Sequence, residues 1–203
     1  MTIHATTRAT FLGLAALALA ACGKKENYAD STAASSTAAG DTSAMAAGTG
    51  SNASGNWSDA NIVAMLDEAN AADSSAGAVA ATKGTAAAVR DFARRMMRDH
   101  HQLRTQGADL AKKLNVTPAA PSDDPVPGMA QDETNTLNST AKGKDFDKAY
   151  IDAEVDAHKK VLDLATKAAA QTQNAELKNL IQKAAPVIQG HLDKAESIQK
   201  TLK

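Results

Sequence analysis

Apolar residues recur at spacings of three and four along four long segments between Trp57 and Leu202. That spacing places side chains on one face of an α-helix, so the pattern predicts four amphipathic helices. The predicted core faces are Ile62, Leu66, Ala69, Asp73, Ala76 and Ala80; Val89, Phe92, Met96, His100, Leu103, Gly107, Leu110 and Leu114; Ile151, Glu154, His158, Val161, Ala165 and Ala168; and Leu177, Ile181, Ala184, Ile188, His191, Ala195, Ile198 and Leu202. Four such segments of roughly 25–30 residues favour an all-α fold, an antiparallel four-helix bundle with helices about 40 Å long.

Capping residues indicate where these helices begin and end. Ser58 or Asp59 is expected to cap the first helix, and Lys83-Gly84 to end it. The second helix is expected to restart at Thr85. Asp145 is the expected cap of the third long helix, because aspartate accepts hydrogen bonds from the free N–H groups at a helix start.

Helix-breaking residues indicate the connections. The segment 115–128 contains four prolines, which predicts a long crossing loop rather than a helix: Pro118, Pro121, Pro125 and Pro127. A short helix is expected over Met129–Ala141. Residues 171–174 should end the third long helix, and the fourth should begin near Ala175.

The N-terminal residues have the pattern of an export signal. An apolar run, Phe11–Ala20, follows a short polar region that carries Arg8. The run is too short to span a bilayer and has the size of a signal-peptide core. It leads into Leu19-Ala20-Ala21-Cys22, which resembles a bacterial lipobox, where small residues precede a cysteine that receives diacylglycerol. We therefore predict a signal peptide over 1–21 and lipidation of Cys22; the alternative is an ordinary secretory signal followed by a chance cysteine.

A lipid anchor at Cys22 would keep the mature chain in the bacterial cell envelope, because several acyl chains on one residue suffice for stable anchoring. Residue 23 is glycine rather than aspartate, which by resemblance to the usual sorting rule favours the outer membrane, facing the periplasm. Residues 22–56 consist mainly of Ala, Ser, Gly and Thr, a composition that predicts a disordered tether. The folded domain is predicted over 57–203.

Composition excludes several classes of protein. The 203 residues include 22 Lys+Arg and 23 Asp+Glu, so no excess of positive charge suggests a nucleic-acid partner. Aromatic residues make up 3% of the chain, which argues against a β-sandwich or barrel. The single cysteine excludes an intramolecular disulfide framework and a cysteine-rich metal site.

Polar residues interrupt the predicted apolar stripes near the middle of each long helix. His100, His158 and His191 lie on three different stripes, and Asp73 lies on the fourth. Glu154 precedes His158 by one helical turn on the same face. Mid-helix positions of antiparallel helices meet at one height, so the sequence predicts a single buried layer of three imidazoles and carboxylates.

A buried polar group without a partner costs several kcal/mol, so these residues should either pair with one another or share an ion. Imidazole with carboxylate is a ligand set for zinc, copper, iron or nickel, which makes the layer a candidate site for one transition-metal ion. The alternative is a hydrogen-bonded layer of purely architectural role.

Four motifs resemble one bacterial family, the ferritin-like family called domain of unknown function 4142, whose members are often exported. They are Met96-Met97-Arg98-Asp99-His100, Phe146-Asp147-Lys148-Ala149-Tyr150, Val155-Asp156-Ala157-His158, and Ala185-Pro186 followed by His191-Leu192. The resemblance covers about residues 59–200. It implies a ferritin-like bundle and no established activity.

The resemblance does not imply a di-iron centre. Di-iron bundles use Glu-x-x-His on two helices, whereas the residues three before the layer histidines are Met97, Val155 and Ile188. Three functions remain: a metal-binding envelope protein, a structural or protein-interaction module, and a metal-dependent enzyme. The sequence pattern indicates no substrate pocket, nucleophile motif or phosphate loop, so an enzyme is the least favoured of the three.

Overall fold

The computed structural model describes residues 55–202, and all statements below concern those residues. The predicted signal peptide, Cys22, most of the predicted tether and Lys203 lie outside them. The division of the chain into a tether and a domain beginning at residue 57 stays a prediction. Within residues 55–202, no helix combines the length and apolar content needed to cross a lipid bilayer.

The described residues form five α-helices and no strand, which confirms the all-α prediction. Four helices are long and one is short. They are α1 (Asp59–Lys83), α2 (Ala87–Lys113), α3 (Val126–Ser139), α4 (Lys144–Gln171) and α5 (Ala175–Gln199).

The predicted boundaries at the starts of α3 and α4 were wrong. The loop predicted over 115–128 ends earlier, because α3 begins at Val126 with Pro127 and Gly128 in its first turn. Proline is tolerated there since the first-turn N–H groups have no partner within the helix, and Asp124 Oδ1 accepts from Val126 N at 2.8 Å. Asp145 is not a cap: Gly143, at φ 150°, is the N-cap of α4, and Asp145 lies in the first turn.

The start of α1 agrees with the prediction. The Ser58 side chain accepts from Asn61 N, and the Asn61 side chain accepts from Ser58 N, so the two residues form a capping box. Asn61 Nδ2 also donates to the carbonyl of Ala119 at 2.7 Å. The N-terminus of α1 is therefore tied to the connection between α2 and α3.

The start of α2 differs from the prediction. The helix begins at Ala87, with Ala86 as its N-cap, rather than at Thr85. Ala86 has no side chain that can cap, but the buried carboxylate of Asp147, from α4, accepts from Thr85 N and Ala86 N at 2.7 Å each. A residue distant in sequence therefore supplies the cap that the local sequence lacks.

Helix α1 packs most extensively on α2, and α4 on α5. Further contacts join α2 to α5 and α1 to α4, and α3 packs on α1 and α4. The contact between α1 and α2 is close at Gly77, where an added Cβ would lie 2.9 Å from the carbonyl oxygen of Ala93. The absence of a side chain at Gly77 thus permits α1 and α2 to approach closely.

The apolar core consists of two clusters. The first cluster contains Ala76, Ala80, Val89, Phe92, Ala93, Met96, Leu137, Phe146, Tyr150, Ile151, Val155, Leu192, Ala195 and Ile198. The second cluster contains Ile62, Val63, Met65, Ala69, Ala111, Val126, Val161, Leu164, Ala165, Ala168, Leu177, Ile181 and Ile188. Along every long helix, members of the two clusters flank one polar residue of the predicted layer.

Candidate metal centre

Three histidines from three helices meet between the two apolar clusters. His100 of α2, His158 of α4 and His191 of α5 are each no more than 1% exposed. Their ring centroids are 5.2 to 5.6 Å apart. Each can offer one ring nitrogen such that the three nitrogens lie within 4.8 Å of one another. The convergence expected from the stripes is therefore present.

His158 is held by its own helix. Its Nδ1 lies 2.9 Å from the backbone carbonyl oxygen of Glu154, which can only accept a hydrogen bond. Nδ1 must therefore carry the proton. In the neutral ring this leaves the lone pair on Nε2, the nitrogen on the opposite side.

His191 is held by a carboxylate from α2. Its Nε2 donates to Asp99 Oδ2 at 2.9 Å, and Arg95 Nε donates to the same oxygen at 3.1 Å. Partial burial opposes ionisation of Asp99, but these two hydrogen bonds outweigh it and lower the pKa of the carboxyl group. Burial lowers the pKa of His191 to about 4, although Asp99 opposes this. The ring is neutral at pH 7, with its lone pair on Nδ1.

His100 is held by two residues of α1. Its Nδ1 lies 2.8 Å from Asn70 Oδ1 and 3.4 Å from Asp73 Oδ2. The Asn70 amide is oriented because its Nδ2 donates to the carbonyl of Leu66 at 2.6 Å, which leaves Oδ1 to accept from His100. Burial and the neighbouring His158 and His191 lower the pKa of His100 to about 3. The lone pair of this neutral ring is on Nε2.

The three inner nitrogens have no hydrogen-bond partner: His100 Nε2, His158 Nε2 and His191 Nδ1. The other nitrogen of each ring is already engaged, so the lone pair of the neutral ring is on the inner nitrogen. Three lone pairs are all hydrogen-bond acceptors and cannot bond to one another. One added proton could form a hydrogen bond between only two of the three nitrogens. A metal ion would accept all three lone pairs at once.

Carboxyl groups lie beside the histidines. Asp73, Glu154 and His158 can place one ligand atom each within 4.8 Å of one another. Burial raises the pKa of Glu154 to about 8, with the Tyr150 hydroxyl opposing the rise. Burial and the adjacent Glu154 raise the pKa of Glu133 to about 8 and that of Asp73 well above its usual range. In the metal-free protein these groups hold protons that a cation would displace.

The arrangement fits a transition-metal ion better than an alkaline-earth ion, because the inner donors are neutral imidazole nitrogens rather than oxygens. Nitrogens bound tetrahedrally at about 2.0–2.1 Å from zinc are about 3.3 Å apart. One ring nitrogen from each of the three histidines lies within 4.8 Å of the others, so these nitrogens would close by at most about 1.5 Å around such an ion. Each ring also has the outer hydrogen-bond partner that ligating histidines in proteins usually have.

Sequence reasoning named the five central residues but missed their partners. Asn70, Asp99 and Glu133 lie off the predicted stripes, and Tyr150 was noted only as part of a motif. Asp99 directly precedes His100 in the motif Met96–His100, which was an available signal. Placing Glu133 required the position of α3, which helical spacing alone does not give. His101, next to His100 in the sequence, is exposed.

The fold and the site define an all-helical protein with a buried histidine and carboxylate layer. The chain belongs to the family described as domain of unknown function DUF4142, whose family model matches residues 41–198. The match includes all five helices except the last residue of α5.

One solved structure, CopM in the Cu(II)-bound form, is similar in fold with a TM-score of 0.60. The sequences are 14% identical, and the alignment covers 73% of this chain and 99% of the CopM chain. No curated protein sequence matches this chain. At this level of identity the likeness to CopM concerns the fold.

Proposed function

We propose that this protein is an exported, lipid-anchored envelope protein that binds one transition-metal ion, for storage, buffering or sensing. The observation that carries the metal site is the meeting of three buried histidines, each with one ring nitrogen that has no hydrogen-bond partner. His100, His158 and His191 would hold the ion, with Asp73 and Glu154 supplying negative charge on loss of their protons.

Cu(II) is the ion to test first. Imidazole ligands suit copper and zinc among other ions, so the donor set alone leaves the metal open. The likeness in fold to CopM, whose solved form holds Cu(II), supports the choice.

We also infer the finer architecture and the location. The packing of α1 on α2 and of α4 on α5, with contacts between these pairs, supports an antiparallel four-helix bundle of ferritin-like type. The connection between α2 and α3 would be the proline-containing crossing loop. The lipobox at Leu19–Cys22 supports lipidation at Cys22 and anchoring in the outer membrane, facing the periplasm.

The metal site is tested by thermal unfolding of the purified chain without a polyhistidine tag. An ion that binds only the folded state stabilises it by RT ln(1 + [L]/Kd), about 2.7 kcal/mol at one hundred times Kd. Cu(II) or Zn(II) should therefore raise Tm, and a chelator should reverse the rise. The electron paramagnetic resonance spectrum of the Cu(II) form should show nitrogen hyperfine structure from imidazole ligands.

The matched variants are His158→Ala and His101→Ala. The first removes one inner nitrogen and should abolish most of the metal-dependent rise in Tm. The second removes an exposed histidine and should leave the rise unchanged. If metal leaves Tm unchanged while His158→Ala destabilises the metal-free protein by about 1–3 kcal/mol, the layer is architectural and the protein is a structural or interaction module.

The anchor is tested by Cys22→Ser. Without the thiol, no diacylglycerol can attach, and the chain should be released from the outer-membrane fraction or stall before cleavage. Fractionation of bacterial envelopes and labelling with a radioactive fatty acid measure this. Wild-type fractionation of the variant would contradict the lipoprotein proposal and leave the metal proposal standing.

A further inference from the structure

A cavity of about 450 Å³ lies among α1, α2, α4, α5 and the connection between α2 and α3. Most of its lining is apolar, and all four long helices contribute apolar side chains: Leu66, Leu103, Val161, Leu177, Ile181 and Ile188. Its volume is within the range of small-molecule sites in proteins. The sequence pattern did not indicate it.

Small residues keep this space open. Gly107 lines the cavity, and a Cβ added there would meet no atom within 4 Å. Leu66, Leu103 and Ala184 lie on predicted core stripes but are only half-buried, and all three line the cavity. Protein interiors are normally packed without voids of this size, because an apolar gap forfeits contacts on all its walls. Residues of the core stripes that surround an open cavity and stay half-exposed are typical of a binding site.

The charges around the cavity favour a cationic group. Arg104 is its only basic lining residue, and it forms a two-bond ion pair with Asp67 at 2.8 and 3.1 Å. Both side chains are nearly half exposed, so this neutral pair marks the side that meets solvent. The other acidic lining residues are Glu68 and Asp73, and no lysine or free arginine offsets them.

We propose that this cavity binds an apolar small molecule with a single cationic head group, of the alkylamine class. The apolar walls would cover the hydrocarbon, and the carboxyl group of Glu68, whose Oε2 has no hydrogen-bond partner, would receive the ammonium group. The same charges disfavour a fatty acid, whose carboxylate would meet no free cation among the lining residues. The cavity borders the polar layer at Asp73, but amine binding requires neither the three imidazole nitrogens nor a bound metal.

The test compares decylamine, decanol and decanoate by isothermal titration calorimetry, with EDTA present so that no metal contributes. The protein is the full chain carrying Cys22→Ser, which has no thiol to lipidate. We expect one decylamine per chain, bound at least tenfold more tightly than decanoate, with decanol between them. Equal affinity for decylamine and decanoate would overturn the head-group assignment.

Two glycine variants locate the site. Gly107→Leu fills the cavity, and leucine also favours a helix more than glycine, so the fold should be retained. It should weaken decylamine binding at least tenfold. Gly128→Leu is the control, because Gly128 lies in α3, is exposed, also has open space at its Cβ and does not line the cavity. If the two variants bind decylamine as the parent does, or if the parent shows no saturable binding, the proposal is wrong.

Discussion

At the scale of the residue, the decisive features are the hydrogen bonds on the outer nitrogens of the three histidines. Each outer nitrogen meets an acceptor: a side-chain amide, a backbone carbonyl or a carboxylate. An acceptor there fixes the tautomer, orients the ring and makes the inner nitrogen a better ligand. The three histidines are thus oriented for a ligand by groups on the outer side of each ring.

The partner of His191 can be removed without touching the ring. We expect Asp99→Ala to weaken metal binding about 10–100-fold, because His191 loses the carboxylate that holds its Nε2 proton. The measurement is a competition titration with a chromophoric chelator, with circular dichroism to confirm that the helices remain.

The control for this substitution is Asp91→Ala on the same helix. Asp91 is exposed and pairs only with Arg94, also exposed, so its loss should leave the metal affinity unchanged. Equal losses in the two variants would mean that net charge, rather than the orientation of His191, sets the affinity.

The central residues of the site could be predicted because helical spacing constrains them strongly. His100, His158 and His191 had to face inward once their stripes were recognised, and mid-helix positions had to meet. Asn70 and Asp99 could not be predicted in the same way. They flank the stripes, where spacing does not distinguish a residue that faces a neighbouring helix from one that faces solvent.

At the scale of the element, the N-terminus of α2 depends on α4. The local sequence offers alanine at the cap position, and the carboxylate of Asp147 accepts from the N–H of this alanine and of Thr85 before it. Phe146, beside it in the motif Phe146–Tyr150, has the Lys83 ammonium 4.7 Å from its ring centroid. The motif therefore joins the start of α4 to the turn between α1 and α2.

Loss of this cap should be costly. We expect Asp147→Ala to lower the free energy of unfolding by about 2–3 kcal/mol, because two backbone N–H groups at the start of α2 lose a charged acceptor. Urea denaturation followed by circular dichroism measures the change. Asp163→Ala, exposed in the same helix, should change it by less than about 0.5 kcal/mol. A similarly small change in the free energy of unfolding for Asp147→Ala would show that water can replace the Asp147 carboxylate at the start of α2.

Helix boundaries were predictable where the signal was local. Ser58 caps α1 through its own turn, as its type and position indicate. The start of α3 was not predictable from Pro127, because proline marks both loops and first helical turns. The cap of α2 was not predictable either, since it comes from a residue about sixty positions away that only tertiary packing brings near.

At the scale of the whole molecule, buried ionisable groups make stability depend on pH in two opposite ways. Glu133 and Glu154, whose pKa rises from 4.5 to about 8, stabilise the folded state at low pH. That contribution is lost as the pH rises from about 4.5 through 8. His100 and His191, whose pKa falls from 6.5 to about 3 and 4, stabilise it at high pH, and their contribution is lost as the pH falls below 6.5.

The metal-free protein should therefore be most stable between about pH 4.5 and 6.5. Thermal unfolding with EDTA should give a lower Tm at pH 8.5 than at pH 5.5, and a lower Tm again at pH 3.5. Glu154→Gln should reduce the alkaline fall, because glutamine carries no charge to bury. Added metal should raise Tm more at pH 8.5 than at pH 5.5, since fewer protons compete. A Tm that climbs steadily from pH 5.5 to 8.5 without metal would contradict the raised pKa values.

The position of the polar layer between two apolar clusters also governs how far each helix can slide along its neighbours. Many stripe positions are alanine, and alanines one helical turn apart make equivalent packing contacts. If one helix slipped by a turn, about 5.4 Å, its imidazole or carboxylate would leave the layer and enter an aliphatic cluster, at a cost of several kcal/mol. The layer therefore selects a single register for helices whose apolar faces specify one only weakly.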